Sequence, residues 1–455
     1  MEKRMLKQIP KPNVLFLMTD DLRPELGCYG NAQVHTRHLD ALAGTGVRFD
    51  RCYVQAPLCN PSRASMLTGR HPRSSGVLDN LTWFGAEHPE IVSLPKHFQA
   101  HGYASLRAGK IFHGRIDDFD AWTEGGQKRA FEGKIQPNTP DLKAWAKHSD
   151  RIVTLEDCGE QHMDHATAEQ AIAYLRKYKD QPFFLACGFT QPHSPPTAPK
   201  EFFDLYDPAK IPLPPDFAER PAAPPGFPKR SVPPENGDLF IGREATPSAA
   251  REMIRAYWAA LTWMDWNVGR VIAELERLDL RNNTLIVFCS DHGYHLGEKG
   301  KWSKHGSLFE VGTRVPLILN IPGAQGGQAC PRVVQALDIY PTLSELCGLP
   351  RPEGLEGRSL KPLLADAQAP WDHPAFSVSG DEMYNKDQQA RRVACAAVRT
   401  ERYRYVEYEL DGEAMLFDHS ADPHEMKNLA DDPEMAQVRQ ELAGLLRKFR
   451  AGEAR

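Results

Sequence analysis

Over its first two thirds the chain alternates short, continuous apolar runs with amphipathic stretches, the hydrophobic pattern of an α/β protein. Residues 13–19, 183–189 and 284–289 are apolar at nearly every position, as strands buried on both faces are. Val47–Val54, Tyr103–Arg107 and Pro316–Asn320 are expected as further strands. Helices are expected at Thr36–Ala43, at Ser93–Gly102 with its Ser cap and Gly stop, at His165–Tyr178 and at Leu337–Cys347. The longest runs from Pro247 to about Leu278, with Ile254, Leu261, Val268, Ile272 and Leu275 on one stripe and Trp258, Trp263 and Trp266 packing beside it. Between Thr190 and Pro234 the chain is Pro-rich, too rigid for a sheet and too long for a turn. An irregular surface excursion is expected there, of the kind that shapes a substrate pocket.

The alternation stops around Ala365–Trp371. Residues 375–378, 393–399, 403–408 and 415–418 then have antiparallel character, followed by a helix at Glu434–Phe449. The expected division is a main unit over 1–368, built on a large, mostly parallel sheet flanked by helices, and a small antiparallel α+β subdomain over 369–455.

Composition narrows the possible partners. A net charge of -5 with a quarter of the residues charged gives no reason to expect nucleic acid or an anionic membrane. No apolar run approaches a membrane span, and the run at Val14–Met18 is too short for a signal-peptide core behind the basic residues 1–11. Nine irregularly spaced cysteines suit a reducing compartment. The expectation is a protein made and kept in the cytoplasm.

The candidate chemistry sits at strand outlets. Cys59-Asn60-Pro61-Ser62-Arg63 reads as a helix start, with Asn60 as cap, Pro61 in the first helical position and Gly69 as the stop. That places Cys59 just ahead of a helix N-terminus, where free N–H groups favour an anion and Arg63 adds a cation. Three residues separate Cys59 from Arg63, whereas a phosphotyrosine-phosphatase loop needs five. Asp20-Asp21 ends the first strand and Asp291-His292 a much later one, while Lys110 and His113 follow a third and His193 a fourth. If the carboxylates converge, each pair at about 4 Å repels by roughly 4 kcal/mol at an effective dielectric near 20, and a divalent cation is the remedy. The oxygen donors suit Ca2+ or Mg2+, and the nitrogen of His292 leaves Mn2+ open.

C-x-P-S-R at Cys59–Arg63 resembles the signature of the type I sulfatases, in which the Cys is oxidised to formylglycine. The resemblance extends over Asp20-Asp21, Thr68-Gly69-Arg70-His71-Pro72, Gly109-Lys110-Ile111-Phe112-His113, Gln191-Pro192-His193 and Ser290-Asp291-His292-Gly293 with Lys304 beyond, in the family's order. Leu416-Phe417-Asp418 with Asp422-Pro423 and Asn428-Leu429 is similar to its C-terminal signature. Asp20-Asp21-Leu22-Arg23-Pro24 and the Gly109–His113 motif look most like iduronate-2-sulfatase and bacterial relatives acting on sulfated carbohydrates. The resemblance implies an alkaline-phosphatase-like fold and one divalent cation, Ca2+ before Mn2+ or Mg2+, on Asp20, Asp21, Asp291, His292 and the Cys59 side chain. It implies that Cys59, matured by a formylglycine-generating enzyme, hydrates and attacks sulfur with Arg63 orienting it. By the same resemblance, His113 with Lys110 assists release of sulfate, and His193 with Lys304 binds sulfate and protonates the leaving oxygen. The expected substrate is a small-molecule or oligosaccharide sulfate ester.

Many sulfatases have Asn where His292 stands, whereas iduronate-2-sulfatase-like members and phosphonate monoester hydrolases have His. A phosphonate monoester hydrolase or phosphodiesterase is therefore a same-site alternative, and a sulfated-glycan binding protein is a second if Cys59 stays a thiol. His295 is read as a pocket residue at best rather than a ligand. Trp83 with Phe84 is the candidate stacking wall for a sugar ring.

Overall fold

The structure, a computed structural model, describes residues 11–86, 88–129, 147–381, 389–390, 392–409 and 412–453, so most of the basic segment 1–11 lies outside the described residues. In chain order the strands are β1 (Asn13–Thr19), β2 (Val47–Tyr53), β3 (Ala104–Gly109), β4 (Val153–Leu155), β5 (Phe183–Gly188), β6 (Thr197–Pro199), β7 (Thr284–Ser290), β8 (Arg314–Asn320) and β9 (Gln328–Gln335). They continue as β10 (Ala375–Gly380), β11 (Val393–Arg399), β12 (Tyr403–Tyr408) and β13 (Ala414–Asp418). The principal helices are α1 (Arg37–Gly44), α2 (Cys59–Thr68), α3 (Leu94–Ala100), α4 (Met163–Tyr178), α5 (Pro247–Arg277), α6 (Ile339–Leu346) and α7 (Ala436–Arg450).

The central sheet has the order β3-β5-β1-β7-β8-β2-β9, and β8 alone runs against the rest. Strand β1 lies in its interior, third of the seven, and explains its layering. Leu15 and Leu17 face a core with α1, α4 and α5, while Val14, Phe16 and Met18 face a second core with α2, α3 and α6. A strand apolar on both faces has to be covered on both. Trp258 and Trp263 of α5 belong to the first core, and Trp266 packs at its margin.

Because the other strands point one way, the carboxyl ends of β1, β2, β3, β5 and β7 open on one edge. Register then decides what meets there. Thr19 pairs with Ser290, and Gly188 pairs with both Met18 and Gly109. The next residues out, Asp20, Asp291 and Lys110, therefore leave the sheet side by side. Gly109 and Gly188 are required for this approach: φ at Gly109 is +70°, and a Cβ on Gly188 would collide with the Lys110 carbonyl.

Two expectations need correction. Strand β9 does not show in the hydrophobic pattern because Pro331 and Arg332 interrupt it; Pro is tolerated there because β9 is an edge strand. Helix α2 starts at Cys59 with Leu58 as N-cap, so Asn60 is its second residue and does not cap it. Instead the Asn60 amide donates to the carbonyls of Asp79 (2.8 Å) and Thr82 (2.7 Å). Pro61 remains compatible, since the first turn of a helix has no N–H partners to lose.

The antiparallel sheet β10–β13 forms as the pattern predicts. One face packs under α7 through Phe376, Val398, Leu416, Leu446 and Phe449. The other meets Phe227, Leu308 and Phe309 of the main body. Among the described residues no helix is long and apolar enough to cross a membrane.

Candidate active site

Strand β1 delivers Asp20 and Asp21, both fully buried. Asp21 has φ +62°, a left-handed conformation that Asp tolerates better than most residues and that turns it sharply from its neighbour. The turn is braced by Tyr257 of α5, whose hydroxyl donates to the Asp21 carbonyl at 2.7 Å, and by Ser290 Oγ, which accepts from Leu22 N at 3.0 Å. Asp291 accepts from the amides of Asp21 (3.2 Å) and His292 (2.9 Å).

Helix α2 points its first residue at this cluster. Asn80 Oδ1 accepts from Asn60 N at 2.9 Å, so a side chain from another segment satisfies one of the free N–H groups of the helix start. The Cys59 sulfur lies 3.6 Å from Asp20 Oδ1 and 3.2 Å from His292 Nε2, and His113 and His193 also face it. Burial opposes ionisation of this thiol, but Lys110, His292 and Lys304 outweigh it and hold its pKa well below the ordinary value.

Arg63, also fully buried, knots the strand ends together. Its Nε donates to Asp291 Oδ2 at 2.8 Å, Nη1 donates to the carbonyls of Lys110 (2.7 Å) and Ile111 (2.9 Å), and Nη2 is 3.7 Å from Asp20 Oδ2. With donors on all three nitrogens directed at protein, Arg63 acts on the reacting group through charge and through the residues it holds. Lys110 is paired with Asp20 Oδ2. Lys304 is paired with Asp21 Oδ2 at 2.9 Å and donates to His193 Nε2 at 3.1 Å. Lys110 and His193 are 19% and 23% exposed, so a rim of cations opens to solvent above a closed floor of acids.

Asp20, Cys59, Asp291 and His292 place ligand-type atoms within 4.8 Å of one another, and Asp20, Asp21 and His193 form an overlapping set. Three observations fit this cluster to a divalent cation. Asp21 Oδ1 is buried and accepts no hydrogen bond, although His292 Nδ1 lies 3.1 Å away. His292 Nδ1 lies 3.1 Å from the Gly293 carbonyl, which selects the tautomer whose Nε2 lone pair faces the acids. Burial raises the pKa of both Asp21 and Asp291 even with Lys304 and Arg63 beside them, whereas burial of Asp20 is outweighed by Lys110, His193 and Arg63, which hold it below the ordinary carboxylate range.

The remaining expectations divide. Phe84 is in the core, 6.0 Å from Phe112, and forms no wall. Trp83 is half-buried, and the Arg129 guanidinium lies 3.4 Å over its ring, so one face is already covered. His295 is fully buried against Ser307, 2.5 Å away, and belongs to neither ligand set.

Asp164 and Asp79 were not singled out from the sequence. Asp164, at the start of α4, accepts from Thr190 N (2.8 Å) and Gln191 N (2.8 Å) and so fixes the turn that carries His193. Asp79 Oδ1 accepts from Leu81 N at 3.0 Å and Thr82 N at 2.9 Å, positioning the Asn80 segment; an Asp three residues before a Thr was the available signal. Asp164 had none, because its partners are more than twenty residues away.

A nucleophile-type side chain, a cluster of metal-ligand-type side chains and a cationic rim on the carboxyl edge of an α/β sheet are an arrangement suited to hydrolysis of anionic esters. Residues 12–349 match the Sulfatase family model, and residues 297–452 match that for the C-terminal part of N-sulphoglucosamine sulphohydrolase. The chain is 31% identical to a sulfatase of Formosa agariphila over 99% of its own length and 89% of that protein's. It is 33% identical to mouse iduronate 2-sulfatase over 75% of this chain and 69% of the relative. In fold it is similar to the phosphonate monoester hydrolase SpPMH from Silicibacter pomeroyi, with a TM-score of 0.76, 24% identity and 97% and 96% of the two chains covered. It is also similar to BT4656, solved with its substrate D-glucosamine-2-N,6-O-disulfate, with a TM-score of 0.75, 23% identity and 97% and 98% covered. The chain belongs to the sulfatase family and is a sulfuric ester hydrolase.

Proposed function

We propose that this enzyme hydrolyses sulfate esters of a carbohydrate, with Cys59 acting as formylglycine and one divalent cation, Ca2+ first, held by Asp20, Asp21, Asp291 and His292. The observation that carries the reading is the convergence of these acids on Cys59, whose sulfur lies 3.6 Å from Asp20. The carbohydrate preference draws on the likeness to iduronate 2-sulfatase and, in fold, to the BT4656 complex. When present, the hydrated aldehyde supplies an oxygen nucleophile and the cation supplies fixed positive charge at the sulfate.

The chain's own residues do the rest. Lys110 at the rim and the buried Lys304 behind His193 supply the positive charge that holds a sulfate, and Arg63 keeps Asp291 and the Lys110 backbone in register with α2. Burial lowers the pKa of His113, so its neutral ring is ready to accept a proton near Cys59. His193 Nδ1 is 2.7 Å from the Ser194 carbonyl, which leaves Nε2 as the nitrogen that exchanges protons. The Lys304 ammonium donates to that nitrogen at 3.1 Å, so a proton supplied through the Lys304–His193 pair passes to the ester oxygen as the S–O bond breaks.

His292 in the acid cluster favours one second reading, phosphonate monoester or phosphodiester hydrolysis at the same centre. Matched aryl sulfates, phosphonates and phosphodiesters separate the two. Faster sulfate release supports the proposal, and faster turnover of the phosphorus esters rejects it. The peptide containing Cys59, isolated from the native host, is expected to be lighter than the thiol form by about 18 Da. An unconverted peptide there would favour glycan binding without turnover.

A further inference from the structure

We infer that Asp238 is a positioning residue for this site, holding Lys304 and, through it, His193 on the side where the leaving oxygen departs. The inference rests on the sulfatase reading above. Asp238 lies beyond the Pro-rich excursion and is 1% exposed. The segment carrying it is clamped onto the loop that carries Lys304. Asn236 Nδ2 donates to the Gly300 carbonyl at 3.1 Å, Trp302 N donates to Asn236 Oδ1 at 2.8 Å, and the ring of Phe240 lies 4.7 Å from that of Trp302. This clamp sets Asp238 Oδ2 3.5 Å from the Lys304 ammonium, and that oxygen accepts no hydrogen bond.

A buried carboxylate with an open oxygen stabilises a fold poorly, and an apolar side chain of its size would pack at less cost. Its placement makes sense in terms of what Lys304 has to do. Lys304 lies between Asp21 Oδ2 at 2.9 Å, His193 Nε2 at 3.1 Å and Asp238. Asp21 also belongs to the cluster suited to a cation, and it cannot give its full charge to both. Asp238 is the second carboxylate beside Lys304 and lies outside that cluster, so it keeps the ammonium in place while Asp21 is engaged. Asp238 does not touch the reacting atoms; its effect passes through Lys304.

The test is the leaving-group dependence of kcat and KM for full-length Asp238→Asn and wild-type enzyme, both with converted Cys59 and Ca2+, over a series of substituted phenyl sulfates. For phenyl sulfate, whose oxygen needs a proton to leave, kcat is expected to fall roughly ten-fold with KM unchanged. For 4-nitrophenyl sulfate, whose oxygen leaves unaided, the fall is expected to be below about two-fold. An equal loss across the series, or a loss confined to KM, would overturn the inference. If Asp238→Asn does not fold, Asp238→Ala assayed with added formate takes its place: restored turnover of phenyl sulfate supports the assignment and no restoration overturns it. Wild-type turnover of matched aryl phosphonates or phosphodiesters faster than of the sulfates would instead sink the sulfatase reading, and this inference with it, so the two failures are distinguishable.

Discussion

Two clusters of acids and bases in this molecule contain the same kinds of side chain, one buried around Cys59 and one partly buried around Glu310 where the main body meets the sheet β10–β13. Glu310, His419 and Glu425 also bring ligand-type atoms within 4.8 Å of one another. There, however, the oxygens are occupied. Glu310 accepts from Tyr53 at 2.8 Å and from Arg404 at 2.6 Å, with Arg399 at 3.3 Å, and Glu425 accepts from Glu310 N at 2.7 Å with Arg404 Nε 2.7 Å away. Planar guanidinium groups match carboxylates and leave no place for a cation. Around Cys59, by contrast, Asp21 Oδ1 accepts no hydrogen bond and faces a ligand-type nitrogen, His292 Nδ1, at 3.1 Å, and the lysine cations include Lys110, whose side chain is 19% exposed. Composition does not distinguish a joint from a reaction centre; what separates them is whether the oxygens are already satisfied.

The sharpest test of the contrast is to remove the proposed cation. Chelation, or Asp291→Asn, is expected to lower kcat/KM by roughly two to three orders of magnitude, and added Ca2+, Mn2+ or Mg2+ should restore the chelated wild type. Metal analysis of the purified protein checks the cause, and activity indifferent to chelation would erase the distinction between the clusters. Next in size, Glu310→Gln should cost about 3–5 kcal/mol of stability by leaving Arg399 and Arg404 underpaired. Urea unfolding reads that loss, while kcat/KM of the folded enzyme should stay within about two-fold. A parallel fall in turnover would mean that the joint is part of the site.

The smallest effect is on pH dependence. Burial pushes Glu310 and Glu425 upward, but Arg399, Arg404 and His419 prevail and hold both below the ordinary value of 4.5. Carboxylates depressed in the folded state stabilise it fully above their unfolded pKa, and that contribution is lost as pH falls through the folded values. Thermal midpoints of the wild type should therefore drop more steeply below about pH 4.5 than those of Glu310→Gln, with a difference of roughly 1–2 kcal/mol across the range. Equal slopes would show that Glu310 is not held as an anion in the folded protein.

Most of the strands were legible because a strand covered on both faces must be apolar throughout, as Asn13–Thr19 is. The C-terminal strands were legible through their alternation. Strand β9 was not, because an edge strand can carry Pro331, nor were the three-residue β4 and β6, which pair with each other although β6 lies in the Pro-rich stretch expected to be too rigid for a sheet. In the site, Asp20, Asp21, Cys59, Asp291 and His292 stood out because each follows a strand or opens a helix. The pairing of Lys110 with Asp20 and of Lys304 with Asp21 could not be read, since it depends on the packing of remote loops.

By itself the sequence determined the residue types of the centre, their placement at strand outlets and the covered sheet, because these follow from local pattern and chemistry. Only the tertiary structure decided which outlets lie side by side, through the register that pairs Thr19 with Ser290 and Gly109 with Gly188. It also decided which charges are already spent on one another and brought in Asp164 and Asp238, because long-range contacts leave no periodic trace along a chain.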